Sequence, residues 1–133
     1  MKYNPLTYDY ASRRTMVYGN RGMVATGNPL ATLAGMEILK AGGNAVDAAL
    51  AMATTLTVVE PVSNGIGGDA FAIVHDGEKI HGLNASGPSP RLISLEALKA
   101  RGFTSIPDYG WEPVNVPGAV GGWMALWEKF GSL

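Results

Sequence analysis

Apolar positions along this chain follow two periods, and the change from one to the other marks its elements. Leu30, Leu33, Ala34, Ile38 and Ala41 recur at helical spacing, with Glu37 and Lys40 on the opposite side. Asn28-Pro29 supplies an N-cap and a first-turn proline, and Gly42-Gly43 supplies the stop. A second helix is predicted at once, from Asn44, with Asp47 placed to serve its free N–H groups. From Ala45 to Val59 it is apolar on nearly every side, the pattern of a buried helix.

The period then shortens. Ala70 to His75 and Lys79 to Leu83 flank Asp76-Gly77, a strong hairpin signal that predicts a two-residue turn with Val74 facing Lys79 and Ala72 facing His81. Between helix and hairpin lies Glu60-Pro-Val-Ser-Asn-Gly-Ile-Gly-Gly-Asp-Ala-Phe71, read as a buried, tightly packed hinge because its glycines permit close backbone approach. Further on, Ser94 is expected to cap a short helix, Leu95 to Arg101, closed by Gly102. Residues 103–115 look irregular, and Val116-Pro117-Gly118 precedes a last helix with Trp123, Leu126, Trp127 and Phe130 on one apolar face. Met23, Val24 and Ala25 suggest a short buried strand over Arg21 to Thr26, and residues 1–20 an extended arm.

Composition narrows the function classes. The chain has 133 residues, enough for one domain or a large piece of one. Charged residues make up 16%, below the usual ~25%, and 18 glycines point to surface covered by further protein. A net charge of −1 favours neither nucleic acid nor an anionic membrane as partner. The lack of cysteine excludes disulfides, thiolate zinc sites and a cysteine nucleophile. No signal-peptide pattern is visible at the amino terminus, and the longest apolar run is shorter than the ~20 residues of a spanning helix. These features lead to the expectation of a soluble, cytoplasmic chain without cofactor or metal.

Gly65-Ile-Gly-Gly-Asp-Ala70 can be matched to the dinucleotide fingerprint G-x-G-x-x-A, but that motif needs a strand before it and a helix after it. Here the order is reversed, so nucleotide binding is set aside. His75 and His81 fall on opposite faces of the predicted hairpin, which argues against a joint metal site. Asp47 and Asp69 are single carboxylates, read as capping or hinge groups. Spacing alone yields an α/β layer fragment and no mechanism.

Four runs together resemble the amino-terminal part of the γ-glutamyltransferase (γ-glutamyltranspeptidase, glutathione hydrolase) family. They are Met23 to Leu30, Glu37-Ile-Leu-Lys-Ala-Gly-Gly-Asn-Ala-Val-Asp-Ala-Ala49, Val59 to Phe71 and Val116-Pro-Gly118. The resemblance implies an α+β fold, the N-terminal part of an αββα sandwich of the N-terminal-nucleophile hydrolase class. Residues 1–133 would then be one incomplete domain, the N-terminal segment of a large subunit. It also implies a proenzyme that cuts itself, with a threonine at the new amino terminus of the small subunit as nucleophile and its own α-amine as base. No catalytic residue then lies in this chain. Its partners would be the remainder of the large subunit, the small subunit and a γ-glutamyl or glutaryl amide, with self-association left open.

One substrate ligand of the family should fall within the chain. Members acting on glutathione usually read Leu-Asp-Phe-Arg-Glu after the second hairpin strand, and the arginine holds the α-carboxylate of the γ-glutamyl group. The corresponding run here is Leu83-Asn-Ala-Ser-Gly-Pro-Ser-Pro90, with Ser86 in place of the arginine. Losing such a charge-assisted pair should cost about 1.5–3 kcal/mol. Arg91, five residues on, is the substitute candidate, with an exposed loop arginine as its plainer reading. The departure resembles the branch with cephalosporin-acylase-like members, which hydrolyse glutaryl-type amides. The alternative is a truncated or degenerate product of the same fold, with only a binding or scaffold role.

Overall fold

The computed structural model describes residues 16–133; the first fifteen positions of the expected arm lie outside them. Among the described residues, four helices and one hairpin follow in the order α1 (Pro29–Lys40), α2 (Ala45–Val59), β1 (Ala70–His75), β2 (Ile80–Ala85), α3 (Leu95–Ala100) and α4 (Ala119–Phe130).

The helix starts follow their caps. Asn28 Oδ1 accepts from the Leu30 N–H at 2.9 Å, while its Nδ2 donates to the Val59 carbonyl at 3.3 Å, so one side chain begins α1 and holds the end of α2. Asn44 Oδ1 accepts from the N–H groups of Val46 and Asp47, and Asp47 Oδ2 accepts from the Asn44 N–H at 2.9 Å, a reciprocal capping box. Asn44 Nδ2 also donates to the Phe130 carbonyl at 2.6 Å. The Ser132 hydroxyl donates to Asp47 Oδ2 at 2.6 Å. The start of α2 is thereby tied to the end of α4. Those bonds, with the Ser132 hydroxyl first and the Asn44 N–H next, hold the Asp47 carboxyl below its ordinary range.

Small residues bring these elements close. Ala31, Ala48, Ala85 and Ala119 are buried with Leu98, and no large side chain among the described residues is fully buried. At Gly35 a Cβ would sit 2.6 Å from Met52 Cγ, so α1 and α2 meet where one of them has no side chain. At Gly122 a Cβ would sit 2.5 Å from the Ala85 methyl, so α4 lies directly on the inner face of the hairpin.

Three expectations change. Arg21 to Thr26 is not a strand: no strand among the described residues pairs with it, Met23 is exposed, and Thr26 instead donates its hydroxyl proton to the Asn28 carbonyl at 2.6 Å. The hairpin register places Val74 opposite His81 and Ala72 opposite Leu83, with His75 and Ile80 closing a loop over residues 76–79. The reason is Asp76, whose Oδ1 accepts from the N–H groups of Glu78 and Lys79 at 2.9 Å each and so widens the turn beyond two residues. The stretch before β1 is not a buried hinge. Residues 65–69 are exposed, and the space where a Cβ would stand at Gly65, Gly67 and Gly68 is open.

Candidate functional site

The end of β2 carries Asn84, Ala85 and Ser86 into a turning loop. Gly87 there takes φ +80, and a Cβ on it would overlap the Val116 carbonyl oxygen at 1.8 Å, so only glycine fits. Across from it, Gly118 lies against the backbone of the β2 end: a Cβ would be 2.3 Å from the Ala85 carbonyl oxygen and 2.4 Å from the Gly87 nitrogen. The Val116 N–H donates to the Pro88 carbonyl at 2.9 Å, and the N–H groups of Gly118 and Ala119 both donate to the Gly68 carbonyl, at 2.9 and 3.1 Å. Three segments, at Gly68, residues 85–88 and residues 116–119, are thus locked backbone to backbone around the start of α4.

An open cleft of about 550 Å³ results, lined by Ser86, Gly87 and Pro88 on one side and Gly118, Gly121 and Gly122 on the other. Its described lining contains no charged side chain, and no side chain caps the α4 start beside it. Ser86 is half-buried in this lining. Its backbone N–H donates to Asn84 Oδ1 at 3.0 Å, and its hydroxyl donates to the same oxygen. Arg91 is exposed in the next turn, where the Ile93 N–H closes on the Pro90 carbonyl at 3.1 Å, and it does not reach the cleft lining. The two sequence candidates are therefore not brought together.

The other candidates take structural positions. His75 Nδ1 accepts from the Gly77 N–H at 3.2 Å on the outer face of the hairpin. On the inner face His81 Nε2 meets Asp76 Oδ2 at 2.7 Å, its Nδ1 faces Lys129 Nζ at 3.4 Å, and its ring stands edge-on to Phe130. The Asp76 carboxyl is held well below the usual carboxylate range, first by the Lys79 backbone N–H and then by His81. Among the described residues no three His, Asp or Glu side chains gather as a metal site, and no helix is long and apolar enough to cross a membrane.

Sequence reasoning missed Asn84, Gly121 and Gly122 as parts of this cleft. The signal for the glycines was the pair itself, bare positions at the start of an otherwise apolar helix; for Asn84 it was the Asn-x-Ser spacing, which places an amide where it can hold the serine.

This arrangement of helices on a hairpin is also found in solved acylase and γ-glutamyltranspeptidase structures. It matches the crystal structure of cephalosporin acylase from Bacillus halodurans with a TM-score of 0.86 and 55% identity, over 100% of this chain and 25% of that one. The Gamma-glutamyltranspeptidase family matches residues 31–133, and the chain belongs to that family. Among its curated relatives are glutathione hydrolase proenzyme 1 of Schizosaccharomyces pombe, 37% identical over 92% of this chain and 19% of the relative, and acylase ACY 1 proenzyme of Pseudomonas sp. (strain SE83), 37% identical over 97% of this chain and 25% of the relative. The chain thus spans about a fifth to a quarter of these relatives' length.

Proposed function

We propose that this chain is the N-terminal segment of the large subunit of a self-processing amidohydrolase that removes glutaryl-type acyl groups from amides and acts weakly, if at all, on γ-glutamyl compounds. The observation that carries this reading is the composition of the cleft at Ser86. A γ-glutamyl group ends in an α-amino acid, with a carboxylate and an ammonium to be paired. The described cleft lining offers neither a guanidinium nor an acidic side chain, and Arg91 is exposed and not part of it. A buried charge without a partner is costly, whereas an acyl tail without the ammonium leaves less unpaired. The likeness to a cephalosporin acylase and to acylase ACY 1 supports the same choice.

The nucleophile in this reading is the threonine exposed at the amino terminus of the small subunit after self-cleavage. Its hydroxyl attacks the amide carbonyl, its α-amine takes the proton and returns it to the departing amine, and water then releases the acyl group. That both relatives are proenzymes supports maturation by cleavage. This chain's part is to form one wall of the acyl pocket, held still by the backbone clamp around Gly118. The sandwich fold expected for the whole protein would place that wall beside the nucleophile.

The test is to assay the full-length, matured protein on a glutaryl anilide and a γ-glutamyl anilide. A higher kcat/KM for the glutaryl substrate, unchanged in Arg91→Ala, is expected. A clear preference for the γ-glutamyl substrate would overturn the reading.

A further inference from the structure

We propose that Asn84, not Ser86, presents the hydrogen-bond donor to the far end of the acyl tail, and that Ser86 is the positioning residue that aims it. This rests on the acyl-amide reading above. The Ser86 N–H can only donate, so the Asn84 side-chain atom 3.0 Å from it is the carbonyl oxygen; the amide cannot be turned over without setting two donors against each other. That oxygen also faces Ser86 Oγ. Two oxygens at hydrogen-bonding distance need a proton between them, and an amide oxygen has none, so the Ser86 hydroxyl proton is committed to Asn84. Ser86 then shows the cleft only lone pairs.

Asn84 is left with the opposite endowment. Both of its Nδ2 protons are without a partner among the described residues, while its oxygen is held twice by Ser86. The amide plane is thus fixed and its donor edge is turned away from the brace. Asn84 also borders a second hollow, of about 560 Å³, on the outer face of the hairpin away from α4, whose floor is made by the exposed Phe71 and Ile73 and the bare backbone of Gly82. Phe71 is its cross-strand neighbour. An amide donor at the end of an apolar floor suits an aliphatic chain that finishes in an oxygen acceptor, a carboxylate or a carbonyl. It offers nothing to a tail that finishes in an ammonium.

The experiment uses the full-length, matured protein and compares kcat/KM on glutaryl anilide with that on valeryl anilide, which has the same chain length and no terminal carboxylate. Asn84→Asp keeps both bonds from Ser86 but has no donor. It is expected to lower the glutaryl-to-valeryl ratio by roughly tenfold or more, the weight of a hydrogen bond to a charged group. Ser86→Ala, which leaves the backbone N–H brace in place, should lower the ratio less, mainly through KM, and Ser86→Thr should restore it. Asn84→Ala removes the donor without adding charge, and glutarate should inhibit it more weakly than wild type, so the role is readable even where Asn84→Asp fails to mature. A ratio unchanged in Asn84→Asp and Asn84→Ala, or a loss in Ser86→Ala as large as theirs, would overturn the assignment. A wild type that cleaves γ-glutamyl anilide and not glutaryl anilide would instead overturn the acyl-amide reading itself.

Discussion

Gly118→Ala removes no interaction and adds one methyl group, yet it is predicted to be among the costliest single changes in this chain. Gly118 has φ −106, a conformation open to alanine, so no backbone penalty enters. The whole effect is steric. The new Cβ would stand 2.3 Å from the Ala85 oxygen and 2.4 Å from the Gly87 nitrogen, against the 3.4 Å at which ordinary contact begins. Both neighbours are backbone, so no side chain can swing aside. Relief requires the β2 end and the α4 start to part by about 1 Å, which strains the bonds from Gly118 and Ala119 to Gly68. Overpacking of this kind costs ~1–3 kcal/mol, and one weakened hydrogen bond adds ~1 kcal/mol, for a total of about 2–4 kcal/mol. In the full-length protein the urea midpoint should fall with little change in slope, and KM for the acyl substrate should rise because Ser86 moves with the loop. Gly121→Ala is the control. Its Cβ position is open, and alanine is the better helix former by up to ~1 kcal/mol, so its midpoint should hold or rise. A Gly118→Ala protein unfolding at the wild-type midpoint would refute the idea that the clamp is rigid.

Other changes test the remaining joints. Asn44→Ala loses the cap of α2 and the bond to the Phe130 carbonyl, and equilibrium unfolding should show a loss of about 2 kcal/mol. Asp47 has a folded-state pKa below its unfolded one, so its contribution is present at neutral pH and is lost as pH falls through the folded value. Ser132→Ala removes the largest cause of that depression, and a pH series should show lower stability at neutral pH and a shallower fall in acid. His81→Phe keeps the ring against Phe130 and removes the partner of Asp76. Carboxyl NMR should then find the Asp76 titration moved up but still below the ordinary range, because the Lys79 and Glu78 N–H groups remain.

The elements that could be read from the sequence are those set by local chemistry. Asn28, Asn44 and Ser94 cap where they stand because short polar side chains satisfy the first N–H groups of a helix wherever the following residues allow one. The hairpin was legible for the same reason, but its register was not, since Asp76 binds two N–H groups of its own turn and so lengthens it. Long-range consequences were less visible. The apolar pattern of α2 predicted burial, but Val58 is 77% exposed, because covering it takes surfaces these residues do not supply. The glycines of residues 65–68 looked like packing glycines, and the space beside them is open. At the candidate site, the family resemblance pointed to Ser86, but only coordinates could show that Gly118 clamps its loop, that Arg91 lies outside the cleft lining and that the serine hydroxyl donates to Asn84.

If the absence of a guanidinium at position 86 sets which acyl group the matured protein accepts, Ser86→Arg in the full-length protein should change the ratio of kcat/KM for γ-glutamyl anilide to that for glutaryl anilide. Restoring a guanidinium at the end of β2 should raise that ratio at least roughly tenfold, the weight of a charge-assisted pair. A matured Ser86→Arg protein with the wild-type ratio would contradict that role for position 86.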